Sequence, residues 1–224
     1  MKKETIIMIL SPVLFVLLFI LIYLKGFTTN IDNIKFKREY EKLNKEYYTI
    51  KIDSDNPIKY SNYNELFDVI ENKTGIIFLG YPEDNNSRFG IETLLRVIKD
   101  NEINTKIYYL DIHNDRDSYV IENDKLVYQK ENNKELKGTK NYFKLLKLLD
   151  NNLPDYTINF NSKSYEVGEK RIYFPSFIFV KSGSVIAVYN ITTELKSTEL
   201  YDIFENYLLN IYSSSCTSGN VEPC

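Results

Sequence analysis

The chain has 224 residues, a formal net charge of −3 and a pI near 5.4, with 43% hydrophobic and 26% charged residues. This composition excludes a disordered chain, because 19 Tyr and 13 Phe contribute to an ample supply of core-forming side chains. The near balance of 28 Lys+Arg and 31 Asp+Glu excludes a strongly basic nucleic-acid binder. One His and two Cys are too few for a closed zinc site of the usual kind or a disulfide-dense scaffold, so we expect neither a metal nor a cofactor.

The first predicted element is a membrane anchor, preceded by a short tail of residues 1–5. Ile6 to Leu24 reads IIMILSPVLFVLLFILIYL, 19 residues without a charge. As a helix rising about 1.5 Å per residue it would extend about 28 Å, which matches a hydrocarbon core of about 30 Å. A cleaved signal peptide is the alternative, but neither an A-x-A-like cleavage site nor a lipobox Cys follows. We therefore predict an uncleaved, single-pass transmembrane helix over residues 6–24.

Residues 25–47 are predicted to form a juxtamembrane helix or linker. Apolar side chains recur there at roughly helical spacing, at Ile34, Phe36, Tyr40, Leu43 and Tyr47. Two interpretations remain open: an amphipathic helix that lifts the domain off the bilayer, or an ordinary packed first helix.

A strand–helix–strand unit follows within a domain predicted to cover residues 48–212. Tyr48–Ile52 alternates like a strand, and Asn62 is placed to cap a helix that ends at Gly75. Residues 76–79 form a continuous apolar run, typical of a strand buried on both faces. After Gly80-Tyr81-Pro82 and a polar stretch, an amphipathic helix leads to a second buried strand, Lys106–Ile112. The sheet is therefore expected to be at least partly parallel.

The C-terminal half is predicted to contain hairpins and two helices. One hairpin spans Tyr119–Gln129 and turns at Asn123-Asp124, and a second spans Tyr156–Val167 and turns at residues 161–163. A helix lies between them, around residues 142–149. A third hairpin begins at Pro175, a closing helix begins near Thr198, and residues 213–224 form a flexible, Cys-containing tail.

This order of elements, together with two local passages, resembles the thioredoxin-like fold. Residues 77–88, IFLGYPEDNNSR, are similar to the passage from strand to active site of bacterial thioredoxin-family proteins. Residues 171–183, RIYFPSFIFVKSG, are similar to their cis-proline segment and following hairpin. The chain from about Tyr48 to Ile211 resembles Gram-positive membrane-anchored thioredoxin-like proteins, which include bacteriocin accessory and maturation thiol–disulfide proteins. The expected fold class is thus α/β: a thioredoxin-like mixed sheet flanked by helices, with hairpin insertions and an N-terminal transmembrane helix.

The chain departs from this family at the active site. Asp84-Asn85-Asn86-Ser87 stands where the resemblance places Cys-x-x-Cys. Thiol–disulfide exchange needs a thiolate and a resolving thiol, so carboxylate and hydroxyl groups at these positions cannot carry it out. Asp84 and Ser87 are better placed to accept the free N–H groups at a helix N-terminus, although a catalytic role is the other interpretation.

A peptide-binding groove is the function that the resemblance leaves intact. In the family a cis bond at the position of Phe174-Pro175 exposes backbone groups that pair with an extended peptide, and this requires no thiol. We expect such a groove at Tyr81, Asp84, Phe174 and Pro175, although the turn alone could account for the proline. The sole His, His113, follows the second buried strand and is expected to be a solvated loop residue rather than a general base.

Cys216 and Cys224 lie close together in the C-terminal tail. A structural disulfide, a redox-active pair, intermolecular bridging and metal capture are all open. Because the predicted core contains neither cysteine, the pair fits an extracytoplasmic domain, whereas the Lys and Arg residues flanking the span favour the opposite side. We predict an extracytoplasmic domain.

Two functions follow from these observations. In the first, a membrane-anchored, redox-degenerate domain binds an extended peptide or partner protein at a bacterial cell surface. The bacterial origin is suggested by the high content of Asn, Ile, Lys and Tyr. In the second, the chain is a thiol–disulfide oxidoreductase or isomerase that uses Cys216 and Cys224 in bacteriocin or secreted-protein maturation. The absence of Cys at positions 84 and 87 favours the first.

Overall fold

The computed structural model describes residue 16 and residues 31–191 and 195–212. Helix α1 comprises residues 31–41. The further helices are α2 (Tyr63–Asn72), α3 (Asn85–Asp100), α4 (Lys140–Leu148) and α5 (Ser197–Tyr212). The strands are β1 (Ile58–Tyr60), β2 (Gly75–Leu79), β3 (Ile107–Leu110), β4 (Tyr119–Glu122), β5 (Lys125–Tyr128), β6 (Lys130–Glu131), β7 (Lys134–Glu135), β8 (Asp155–Phe160), β9 (Lys163–Lys170), β10 (Ser176–Lys181) and β11 (Ser184–Asn190).

A five-stranded mixed sheet with the order β1-β3-β2-β10-β11 organises the domain. Strands β1, β3 and β2 are parallel, whereas β10 runs antiparallel to both β2 and β11. The predicted α/β class, with a mixed sheet flanked by helices, is therefore confirmed. Both apolar runs that were expected to be buried strands, residues 76–79 and 106–112, contribute to the centre of this sheet.

Strands β2 and β10 are buried on both faces because each contributes alternate side chains to two cores. Ile76 and Phe78 face a core that includes α1, α3 and α5. Ile77 and Leu79 face a second core that includes α2 and α4. The sheet is thus the middle layer of three, and α1 and α4 lie on opposite sides of it.

Helix α1 is part of this packed structure. Phe36 and Tyr40 are fully buried, and their rings stack with centroids 4.3 Å apart. The interpretation of this segment as a packed first helix is therefore correct for residues 31–41. Among the described residues no helix is both long enough and apolar enough to cross a membrane. The predicted anchor, residues 6–24, falls outside the described ranges except for residue 16, and the predicted tail, 213–224, falls wholly outside them.

Three hairpins stand beside the main sheet. The hairpins β4–β5 and β8–β9 turn where the sequence predicts, at Asn123-Asp124 and at Asn161-Ser162, with positive φ at all four residues. These residue types, Asn, Asp and Ser, tolerate the left-handed backbone conformation better than bulkier residues do. The short β6–β7 hairpin was not expected from the sequence.

Two local predictions in the first half of the domain are wrong. Tyr48–Ile52 is irregular rather than a strand: Ile50 and Ile52 are buried, but their backbone N–H groups donate to the side chains of Asn44 and Glu41. The first strand is instead Ile58–Tyr60. Helix α2 is capped by Asn62 as predicted, but it ends at Asn72, and Gly75 begins β2.

Candidate functional site

The candidate site lies where the carboxyl ends of β2 and β3 meet the segment that leads into β10. Tyr81 follows β2, His113 follows β3, and Phe174-Pro175 precedes β10. The peptide bond between Phe174 and Pro175 is cis, as the resemblance implied. Because β2 is paired with β3 on one side and with β10 on the other, these three connections converge at one edge of the sheet.

Asp84 acts as the N-cap of α3, which confirms the capping interpretation. Its Oδ2 accepts a hydrogen bond from the Ser87 backbone N–H at 2.7 Å and another from Ser87 Oγ at 2.6 Å. Ser87 is fully buried, and its Oγ in turn accepts from the Tyr81 backbone N–H at 3.4 Å. Ser87 therefore closes the turn rather than capping the helix itself. The side chains at positions 84 and 87, where the resemblance predicts cysteines, are thus hydrogen-bonded to each other.

Asn85 and Asn86, which lie between these two residues, connect α3 to more distant parts of the chain. Asn85 Oδ1 accepts from the backbone N–H of Tyr48 at 2.7 Å. The Asn86 side-chain amide donates to the carbonyl of Ile191 at 3.4 Å. Both contacts hold other parts of the chain against the start of α3, so residues 84–87 all make structural hydrogen bonds.

Tyr81 and Phe174 form the aromatic centre of the site. Their rings meet edge to face, with centroids 5.5 Å apart, and both side chains are half-buried. The His113 imidazole also contacts Tyr81, with ring centroids 4.9 Å apart. Burial raises the pKa of the Tyr81 hydroxyl, so this group remains a neutral donor and acceptor at physiological pH.

Arg116 and His113 border this aromatic pair. Arg116 places its guanidinium carbon 4.0 Å from the Phe174 ring centroid and donates from Nη1 to the Ile172 carbonyl at 3.2 Å. Its Nε is buried and makes no hydrogen bond within the described part of the chain. Burial, followed by repulsion from Arg171, lowers the Arg116 pKa from the usual arginine range. His113 is oriented by Asp111, whose Oδ1 lies 2.6 Å from Nδ1.

The backbone at Tyr173 and Phe174 is available for further hydrogen bonds. Within the described ranges, neither the two N–H groups nor the Phe174 carbonyl makes a hydrogen bond, whereas the Tyr173 carbonyl accepts from Ser176 Oγ at 2.7 Å. Both residues are half-buried. Backbone groups of this kind are ordinarily paired in folded proteins, so the segment offers donors and an acceptor to a binding partner.

A buried ion pair lies next to the Tyr173-Phe174 segment in the chain. Arg171 Nη1 donates to the Asp117 carboxylate at 2.8 Å and to the Asp117 carbonyl at 2.7 Å. Arg171 and Asp117 expose only 7% and 1% of their surface, so water cannot replace either partner. Glu169 lies close enough to be affected: burial and the Asp117 charge raise its pKa.

A groove of about 430 Å³ lies between α1 and His113, the residue that contacts the Tyr81 ring. Its walls come from α1, the end of β1, the turn after β2 and the turn after β3. Several of its lining residues carry charges, namely Lys35, Glu39, Lys42, Glu83 and Asp111. The groove therefore extends the site along the carboxyl edge of the parallel strands.

Arg88 fixes one wall of this groove. Its side chain is fully buried and donates from Nε to the Tyr48 carbonyl at 2.5 Å, and from Nη1 to the carbonyls of Tyr40 and Pro82 at 2.7 and 3.1 Å. Nη2 donates to Asn44 Oδ1 at 2.5 Å. A single residue of α3 thereby connects the end of α1, the loop that follows it, and the turn after β2.

The structure brings together all four residues predicted for the groove, Tyr81, Asp84, Phe174 and Pro175, although Asp84 is engaged in capping. His113 is exposed after β3, as the sequence predicted, but sequence reasoning placed neither His113 nor Arg116 at the groove. A signal for His113 did exist, because residues that follow two neighbouring parallel strands must lie at the same edge of the sheet.

Within the described ranges the site shows neither a nucleophile paired with a base nor a cluster of metal-ligating side chains. No Ser, Thr or Cys side chain in the described ranges hydrogen-bonds His113, so its pairing with Asp111 has no nucleophile to activate. No group of three or more His, Cys, Asp and Glu side chains there is arranged to hold a metal ion. Cys216 and Cys224, the other predicted pair, lie outside the described residues.

Comparison of the chain with models of protein families, with curated proteins and with solved structures gave no significant match.

Proposed function

We propose that this chain is a membrane-anchored, redox-degenerate thioredoxin-like protein that binds an extended peptide, free or as part of a partner protein. The mixed sheet supports this fold: two parallel strands and an antiparallel hairpin surround β2, and α3 begins at the turn after β2. The position of the Phe174-Pro175 segment opposite that turn also supports it, since the resemblance assigns these two connections to one site.

The observation that carries the proposal is the unpaired backbone of Tyr173 and Phe174 beside an aromatic wall. An extended peptide gains affinity when its main chain pairs with free N–H and C=O groups of the protein. The Tyr81 and Phe174 rings supply apolar contact area for one side chain of such a peptide, and the Tyr81 hydroxyl supplies a polar contact. Binding of this kind needs no thiol and no catalytic base.

The experiment that tests the proposal is selection from a random peptide library by the full chain in nanodiscs, followed by affinity measurement for Phe174→Ala. Phe160→Ala is the matched control, because Phe160 is an exposed phenylalanine at the end of β8. We expect Phe174→Ala to weaken binding about tenfold or more, as for a central aromatic contact, and Phe160→Ala to leave it unchanged. Selected peptides that bind both variants equally would refute the site.

The alternative, redox chemistry at Cys216 and Cys224, is separated by a further variant. In a full chain carrying Cys216→Ser and Cys224→Ser, peptide affinity is expected to be unchanged. A loss of binding in this variant would assign the interaction to the cysteines instead.

The proposal also includes the location of the domain, on the extracytoplasmic side of a cell membrane. Protease treatment of intact cells is expected to digest the domain of the full chain. Complete protection, with digestion only after lysis, would place it on the cytoplasmic side.

A further inference from the structure

We infer that the exposed face of α1 docks on an anionic membrane surface; this inference rests on the membrane anchoring included in the proposed function. The face is defined by Ile31, Ile34, Lys35, Arg38 and Lys42 and is called the basic face below. In an α-helix, positions separated in this way by three and four residues lie on one side. Lys42 follows the last helical residue and continues the turn through a hydrogen bond from its N–H to the Arg38 carbonyl at 3.1 Å.

The basic face is directed away from the core. Phe36 and Tyr40, on the opposite side of the helix, are fully buried. Ile31 and Ile34 expose 46% and 36% of their surface, and the Lys35 side chain exposes 51%. Arg38 and Lys42 are also exposed. All the charged members of the face are cations, so the face carries three positive charges beside two apolar side chains.

The three acidic residues of α1, Asp32, Glu39 and Glu41, are half-buried at the flanks of this face. Asp32 accepts a hydrogen bond from the Tyr60 backbone N–H at 3.2 Å. Glu41 is half-buried and hydrogen-bonds Lys37 at 2.6 Å and the Ile52 backbone N–H at 2.9 Å. Glu39 is likewise half-buried and accepts a hydrogen bond from the Tyr60 hydroxyl, and it lies 3.9 Å from Lys35. None of the three carboxylates neutralises Arg38 or Lys42, since no ion pair of these two cations occurs in the described part of the chain.

The position of α1 in the chain identifies the occupant of this face. The uncharged run in the sequence ends at Leu24, and six residues separate it from the first helical residue described, Ile31. A fully extended chain of that length reaches at most about 20 Å. An anchored chain must therefore hold the start of α1 near the lipid headgroups, where the Ile31 end of the face is closest.

The chemistry of the face fits that surface. Basic side chains next to a membrane anchor are attracted to anionic phospholipids, and each contributes roughly a fivefold increase in association. Ile31 and Ile34 are suited to the boundary between headgroups and acyl chains, as in interfacial amphipathic helices. Because Lys35 and Lys42 also line the groove described above, docking would hold the candidate site beside the membrane surface.

The test uses the full chain with Cys216→Ser, Cys224→Ser and Ile34→Cys, labelled at position 34 with an environment-sensitive fluorophore. The protein is reconstituted into vesicles of phosphatidylcholine alone or with phosphatidylglycerol. Resistance to carbonate extraction reports anchoring, and quenching of the fluorophore by spin-labelled lipid reports docking. We expect anchoring in both vesicles, and docking only in those that contain phosphatidylglycerol.

Charge reversal provides the matched comparison. Arg38→Glu with Lys42→Glu is expected to shift the docking equilibrium at least about 25-fold towards the undocked state and to abolish the quenching. Lys140→Glu with Lys147→Glu, which changes two exposed cations of α4 on the other side of the sheet, is expected to leave it unchanged. Failure to anchor would overturn the anchoring and this inference together. Anchoring with quenching that is equal in both vesicles, or unaffected by Arg38→Glu with Lys42→Glu, would overturn the docking alone.

Discussion

Replacing Arg88 with methionine is expected to lower the free energy of unfolding by about 2–4 kcal/mol. Methionine has a similar length and leaves a small cavity, so the main effect is the loss of hydrogen bonds. The Tyr40 carbonyl still accepts from the Leu43 N–H at 3.3 Å. The carbonyls of Tyr48 and Pro82 have no other partner within the described ranges.

The size of this effect is the balance of two opposing terms. The carbonyls of Tyr48 and Pro82 are partly buried, so each costs about 1 kcal/mol when it loses its partner, the lower end of the range for unpaired acceptors, and the Asn44 side chain loses a further contact. Removing the guanidinium partly offsets this, because burial lowers the Arg88 pKa and so opposes the charged form. No carboxylate in the described ranges forms an ion pair with Arg88, so the variant leaves no anion uncompensated.

The assay is urea unfolding of the full chain in detergent, with Arg96→Met as the control. Arg96 lies on the same helix but is exposed, and it donates to Ser197 Oγ at 2.8 Å. The control is expected to lose less than about 1 kcal/mol, as for other exposed contacts. Amide hydrogen exchange in residues 31–41 should accelerate in Arg88→Met alone. Equal stability of the two variants would refute the idea that Arg88 fixes α1 on the domain.

Three further predictions concern the turn after β2 and the buried charges near β9. Asp84→Ala is expected to lower the unfolding free energy by about 1 kcal/mol and Asp84→Asn by less, as helix caps do; equal losses in urea titrations would argue against capping. Arg171→Met is expected to lower it by about 3–5 kcal/mol, and adding Asp117→Leu to restore most of that loss, because the anion left uncompensated is then removed. A double variant no more stable than the single one would contradict this. Burial raises the Glu169 pKa in the folded protein, so the protonated side chain favours folding and the ionised one opposes it. The stability that the protonated side chain contributes is therefore lost as the pH rises through the folded pKa. Glu169→Gln is therefore expected to raise the melting temperature at pH 7, with the gain disappearing below about pH 4, where glutamate is protonated in both states; a gain that is independent of pH would exclude this cause.

Sequence patterns predicted the structure correctly where the residues of a single segment determine its conformation and burial. The apolar runs at residues 76–79 and 106–112 predict buried strands, and β2 and β3 both lie inside the sheet. The Asn62 and Asp84 caps were also predictable, because a cap bonds a backbone group only three residues away.

Patterns failed where distant partners decide the structure. Tyr48–Ile52 alternates as a strand does, yet its backbone N–H groups are paired with the side chains of Asn44, Glu41 and Glu92 rather than with a neighbouring strand. Alternating burial requires only that every second side chain face the core, and an irregular segment docked on the surface also meets this condition.

The candidate site shows the same division. Tyr81 and Phe174 were expected from the two passages that resemble the family. Arg88 and Arg116 were not, because a polar stretch gives no sign that an arginine will be buried against carbonyl groups. The partners of Arg88 are as many as 48 residues away in the chain.

The most direct test of the proposed function is amide hydrogen exchange, measured by NMR on the full chain in nanodiscs with and without a selected peptide. The N–H groups of Tyr173 and Phe174 make no hydrogen bond within the described ranges, so backbone pairing with the peptide must protect them. We predict that saturating peptide slows exchange at one or both amides by at least about tenfold, as expected for a newly formed backbone hydrogen bond. Unchanged exchange at both amides, with protection confined to another edge such as β11, would contradict the proposal.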